Sequence, residues 1–172
     1  NDATRSNVIT TGVGASEDDF GGVFGSNVMT IAPSELRNGL RISGTTTNRN
    51  YFGRAMVTYN TGTLPSGWGY MVSGSYRGGN GRTWLVPSVE GMVYQSYGIS
   101  AAVEYKASPY FTTNLMGIFS YNNRGKSAPL TQEAISLGGR NYNPNWGFQG
   151  DHIRNSKMKR ISEPLFVLSN TY

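Results

Sequence analysis

The sequence predicts an antiparallel all-β chain that crosses a membrane as part of a β-barrel. Three observations carry this: repeated apolar/polar alternation between residues 39 and 122, aromatic residues at the ends of those runs, and connections of alternating length. Composition agrees, with 23 glycines and 11 tyrosines against only 15% charged residues. No segment approaches the ~20 uninterrupted apolar residues that a spanning helix needs, so any span must be built of strands. Strands cross a bilayer only when every edge is paired in a closed barrel.

A short first run alternates Leu40 and Ile42 with Arg41 and Ser43. The second places Tyr51, Gly53, Ala55, Val57 and Tyr59 on one face, with Arg54, Met56, Thr58 and Asn60 opposite. In the third, Trp68, Tyr70, Val72, Gly74 and Tyr76 oppose Gly69, Met71, Ser73, Ser75 and Arg77. The fourth sets Tyr97, Ile99, Ala101, Val103 and Tyr105 against Gly98, Ser100, Ala102, Glu104 and Lys106. The fifth sets Phe111, Thr113, Leu115, Gly117, Phe119 and Tyr121 against Thr112, Asn114, Ser120 and Asn122. Arg41, Arg54, Arg77, Glu104 and Lys106 all fall on the polar face, as they must if a charge facing lipid at the midplane costs ~2–4 kcal/mol. A last run, residues 161–172, contains Pro164 and the unbroken apolar stretch from Leu165 to Leu168, and its register is not set by alternation.

Tyr51 and Tyr59, like Tyr97 and Tyr105, are separated by eight positions, roughly 26 Å of strand. A tilt of about 40° reduces that to about 20 Å, near the ~25 Å apolar band that aromatic girdles bound in outer-membrane barrels. Tyr51, Tyr59, Trp68, Tyr76, Tyr97 and Tyr105 are therefore the expected membrane-interface girdle. The connections Leu64 to Gly67 and Ala107 to Tyr110 are short and each holds a proline. Those from Arg77 to Gln95 and from Lys126 to Lys159 are long, and Thr47 to Asn50, though short, falls on their side. If the amino end starts in the periplasm, the long connections are extracellular.

The first 38 residues do not alternate and carry Glu17, Asp18 and Asp19 beside Gly21 and Gly22. They read as a separate unit. The chain opens at Asn1 without a methionine or an apolar leader, so the numbering is expected to be that of an excerpt or a processed product.

The segments Asn1-Asp2-Ala3-Thr4-Arg5, Asp19-Phe20-Gly21-Gly22-Val23 and Asn27-Val28-Met29-Thr30-Ile31 resemble TonB-dependent outer-membrane receptors of the Bacteroidota type. Asn48 to Gly62 looks like that family's first extracellular hairpin and descending strand, and Glu163-Pro164 before an apolar strand is also similar. The resemblance implies that residues 1–38 are the end of a plug domain and its linker, and that 39–172 are the first strands of a barrel of about 22 strands. It further implies a bacterial outer-membrane location and import of a bulky nutrient such as a glycan, siderophore or peptide. The implied partners are outer-membrane lipid, a TonB complex recruited through a segment absent from this chain, and a surface lipoprotein lid.

Charge and motifs exclude other classes. A net charge of +5 is spread along the chain without a basic helix or zinc-finger pattern, so nucleic acid is not an expected partner. Zero cysteines remove disulfides and thiolate metal sites. The single histidine, His152, makes no metal site alone, and the acidic cluster lacks the spacing of a calcium loop. No GxSxG elbow, HExxH helix or P-loop occurs, so no enzyme, metal or cofactor is expected. The candidate ligand contacts are Trp84 in one long loop and Arg140, Tyr142, Trp146, Phe148, Asp151 and Arg154 in the other, where rings lie beside hydrogen-bonding groups. A solvated or folded loop explains the same residues without a ligand. Two other functions fit the alternation: a complete small barrel of about eight strands with an adhesion or structural role, and a soluble glycan-binding β-sandwich.

Overall fold

The computed structural model describes residues 6–10, 26–47, 51–79 and 89–172. The acidic cluster, the segments Asn1 to Arg5 and Asp19 to Val23, and Trp84 lie outside them. Strands β1 (Ser6–Thr10) and β2 (Ser26–Thr30) pair antiparallel as a two-stranded sheet. The main body is a six-stranded antiparallel sheet formed by β3 (Gly39–Thr46), β4 (Gly53–Thr63), β5 (Trp68–Gly79), β6 (Tyr94–Ser108), β7 (Phe111–Gly125) and β10 (Met158–Thr171). Between β7 and β10 come a short helix α1 (Gln132–Gly138) and the hairpin β8 (Trp146–Gln149) with β9 (His152–Asn155).

The sheet is a meander in chain order, with β3 and β10 at its two edges. Among the described residues it is an open sheet and does not close on itself. Among the described residues no helix is long and apolar enough to cross a membrane.

Local sequence explains the elements. Alternation with β-branched and aromatic residues on one face favours extended backbone. Pro65 and Gly67 make the tight β4–β5 turn, where Gly67 has φ +81° and its N–H reaches the Leu64 carbonyl at 2.9 Å. Thr131 caps α1 by accepting from the Ala134 N–H.

Pairing also resolves the last run. Pro164 stands opposite Phe119 and Leu168 opposite Leu115, which sets Pro164, Phe166 and Leu168 on the face of Phe119 and Leu115, and Leu165 and Val167 on the face of Met116 and Ile118. Proline has no N–H to give a ladder and is confined to edge strands and bulges, and β10 is an edge of the described sheet.

The short β4–β5 and β6–β7 turns share one end of the sheet, and the three other connections share the opposite end. The small hydrophobic core lies on one face near the short-turn end, where Ile31, Met56, Met71 and Ala102 are buried with Leu36, Met116 and Ile118 against them.

Candidate functional site

The two faces of the sheet differ in chemistry. On the outer face, register aligns Leu40, Tyr59, Val72, Ala101, Gly117 and Phe166 in one row across all six strands. The next row toward the loops is Ile42, Val57, Gly74, Ile99, Phe119 and Pro164. Neither row holds a charge. These side chains are exposed although they are apolar, Val72 at 54% and Ile99 at 57%. A water-soluble monomer rarely leaves so wide an apolar patch uncovered.

Aromatic rows bound this surface. Tyr76, Tyr97 and Tyr121 occupy one row and stack, with centroids 6.0 Å apart for the first pair and 5.1 Å for the second. Trp68 and Tyr105 stand opposite each other near the short turns with centroids 4.6 Å apart, and Trp68 also stacks on Tyr70. Cross-strand aromatic pairs of this kind contribute roughly 0.2–1 kcal/mol each, so the rows help fix register as well as line the border. Phe111 and Tyr172 add a tilted pair at the same end as Trp68.

Of the girdle residues named from sequence, Trp68, Tyr76, Tyr97 and Tyr105 are exposed in the two border rows, while Tyr59 is exposed on the same face in the row of Val72, midway between them. Tyr51 lies elsewhere. Strand β4 begins at Gly53, and Tyr51 precedes it, crosses over Gly79 and stacks on Tyr94 with centroids 5.5 Å apart. Gly79 and Tyr94 belong to the inner face, so parity counted back beyond the start of the strand does not hold for Tyr51.

The inner face mixes chemistries: Met56, Met71 and Ala102 of the small core lie on it with Met116 and Ile118, beside the polar Thr58, Ser73 and Ser100. Thr58 and Ser73 share a buried hydrogen bond of 2.7 Å, and Ser100 follows in the same row. Nearer the short turns this face is covered by residues 31–37 of the chain itself. The Ser34 N–H and hydroxyl both donate to the Glu104 carboxylate, at 2.7 and 2.8 Å. Asn60 Nδ2 donates to the carbonyls of Pro33 and Leu36 at 2.9 and 3.1 Å, and Asn114 Nδ2 to that of Ile31 at 3.1 Å. Three strands therefore each contribute one polar side chain to hold a single strap. Gly69 makes room for it, since a Cβ there would lie 3.0 Å from Pro33 Cβ. Met56 and Met71, which alternation puts on the mostly polar face, are buried beneath Ile31 and Leu36.

At the opposite end, buried asparagines build the long connection. Asn143 Nδ2 donates to the Glu90 carbonyl at 2.7 Å, Asn145 Nδ2 to that of Lys126 at 3.1 Å, and Asn155 Nδ2 to those of Gly91 and Lys126 at 2.9 Å each. The loop before β6 and the loop after β7 are thereby tied together. Trp146 packs on Gly91, where φ is +71° and an added Cβ would collide with the indole. Tyr142 packs over Gly138 at the end of α1. Phe148 stands opposite Ile153 on the hairpin and is 78% exposed. Arg154 donates to Gln149 at 2.7 Å, while Arg140 and Asp151 are exposed in turns. Trp146 and Tyr142 thus have packing roles in the loop, and the other four candidates project from it without converging on one cavity among the described residues.

Sequence reading missed the strap contacts of Asn60, Glu104 and Asn114 and the asparagine framework. The spacing of Asn141, Asn143 and Asn145 was a visible sign of the second, because asparagine amides readily satisfy irregular backbone. Nothing in the strand pattern marked the first. Compared with protein-family models, curated proteins and solved structures, the chain gives no match.

Proposed function

We propose that this chain is part of an outer-membrane β-barrel, and that the barrel is a TonB-dependent receptor importing a bulky nutrient such as a glycan, siderophore or peptide. The observation that carries the barrel reading is an outer face exposed and uncharged between its aromatic rows, while Arg41, Arg54, Arg77, Glu104 and Lys106 all stand on the inner face with the buried Thr58–Ser73 hydrogen bond. That polarity is inverted relative to a soluble sheet, whose apolar face is covered, and it suits lipid outside and water inside. A two-sheet sandwich would have to bury the same Tyr, Val and Ile side chains.

The importer reading rests on the resemblance of the amino-terminal segments to the receptor family, and the strap over the inner face is compatible with a linker leading from a plug into the first strand. In this reading the open edges β3 and β10 pair with further strands of the full barrel. Outer loops and plug capture the nutrient, and a TonB-coupled rearrangement releases it inward.

The complete reading frame tests the proposal together with the behaviour of its product. An upstream plug with a TonB-contacting segment, many further strands, and detergent-dependent solubility with heat-modifiable gel mobility are expected. A stop codon directly after Tyr172 would sink the receptor, and a stable monomer in plain buffer would sink the barrel.

A further inference from the structure

Near the loop end, the inner face holds like charges directly opposite one another. Arg54 on β4 pairs in register with Arg77 on β5, and Arg124 on β7 with Lys159 on β10. Directly opposed like charges destabilise a sheet, so two such pairs on one face call for a compensating anion. Among the described residues none of the four cations is joined to a carboxylate. Arg54 instead donates to the Met56 sulfur at 3.2 Å, and Arg77 Nε is buried without a partner. Glu163, the inner-face carboxylate of β10, lies two inner rows from Lys159.

A cavity of about 350 Å³ adjoins one of the four, Arg124, and is lined with it by Met92, Val93, Tyr94, Lys126 and Ser127 and by no acidic side chain. A volume of that order lies at the lower end of the range for small-ligand sites. Tyr94 is fixed from two sides, by the Tyr51 ring stacked on it and by Asn122, whose amide donates to the Tyr94 hydroxyl at 3.3 Å. Arg77 and Arg124 are two strands and one inner row apart, roughly 12 Å between Cα atoms from ordinary sheet spacings. Side chains of arginine length can reach one ligand from both positions.

From the paired cations, the cavity beside Arg124 and the braced tyrosine, we infer that the loop end of the inner face is a binding site for an anionic glycan. Its carboxylates are held by Arg77, Arg124 and Lys126, and a sugar ring stands against Tyr94. Guanidinium groups bind carboxylates through short charge-assisted hydrogen bonds, and a ring face gives the apolar side of a sugar a flat partner. This inference rests on the reading of the inner face as the lumen of an importer, and it narrows the nutrient to a charged carbohydrate.

The test uses the full-length protein carrying this chain, purified in detergent and first checked for heat-modifiable mobility. Calorimetric titration compares tetragalacturonate with uncharged cellotetraose and with inorganic tripolyphosphate, which has charge and no ring. Tetragalacturonate is expected to bind at least about tenfold more tightly than either, as loss of a charged hydrogen bond would give. Arg77→Gln and Arg124→Gln should each weaken it by about tenfold or more with unchanged heat-modifiable mobility, while Arg124→Lys retains part of the affinity. Equal binding of all three probes, no binding of tetragalacturonate, or indifference to both glutamine variants would overturn the site. These results in a heat-modifiable protein would leave the barrel reading standing, whereas a protein soluble without detergent would remove both.

Discussion

Ser34 and Glu104, seventy positions apart, are joined by two hydrogen bonds: the serine N–H and hydroxyl both donate to one carboxylate that is only 3% exposed. This contact ties the segment before the sheet to β6 near the short-turn end, in the row of Gly69 and Asn114. It is also the strap's only charge-assisted hold among the described residues. Glu104→Ala should leave the Ser34 donors without their acceptor and cost about 2–3 kcal/mol. Glu104→Gln, which keeps one acceptor oxygen, should cost less. Limited proteolysis within residues 31–38, with urea unfolding of the sheet alongside, reads both effects, and equal resistance of wild type and Glu104→Ala would contradict the strap.

A charge on the outer face should be far more costly than one on the inner face. Val72→Arg places a guanidinium midway between the aromatic rows and should destabilise the lipid-embedded protein by about 2–4 kcal/mol. Ser100→Arg, one row away on the inner face, should cost less than half of that. Urea titration in lipid vesicles measures the difference, and equal costs would show that the faces are not distinguished by lipid.

The asparagine framework predicts local rather than global loosening. Asn143→Ala removes the donor to Glu90, and Asn155→Ala the donor to Gly91 and one of those to Lys126, each leaving a partly buried carbonyl short of a partner at about 1–3 kcal/mol. Hydrogen exchange should quicken across residues 89–93 and 126–157 while β5 to β7 keep their protection. Loss of protection through the strands as well would mean that the loop and the sheet unfold together.

Gly91→Ala tests the same loop from its packing. The new methyl group would meet the Trp146 ring at a backbone conformation that alanine rarely adopts, so the indole must move outward. Red-shifted tryptophan emission with unchanged heat-modifiable mobility is the expected outcome. An unshifted spectrum would contradict the contact.

The sheet was legible from sequence because its signal is periodic. Tyr97, Ile99, Ala101, Val103 and Tyr105 stand on one face by parity alone, and the ladder leaves them there. Parity says nothing outside a strand, which is why Tyr51 leaves the girdle and stacks on Tyr94. It also fails where both faces are apolar, so the register of Leu165 to Leu168 emerges only from pairing with β7. The strap was not legible, because Ile31 to Arg37 have no period and their partners Asn60, Glu104 and Asn114 look like ordinary polar residues of an alternating strand. For the loop candidates, sequence located the aromatic cluster; only the fold of the loop separates Trp146, packed on Gly91, from Phe148, left in the open.

In the proposed barrel one face of this sheet meets lipid and the other meets water. A chain with zero cysteines suits site-directed spin labelling. Nitroxides at Val72→Cys, Ile99→Cys and Ala101→Cys, and at Ser75→Cys and Ser100→Cys, would be compared in vesicles for collision with oxygen and with a water-soluble nickel chelate. High oxygen and low nickel accessibility at the first three sites, reversed at the last two, is the predicted result. Nickel reaching both faces, or neither relaxant reaching Val72→Cys, Ile99→Cys and Ala101→Cys, would contradict the account.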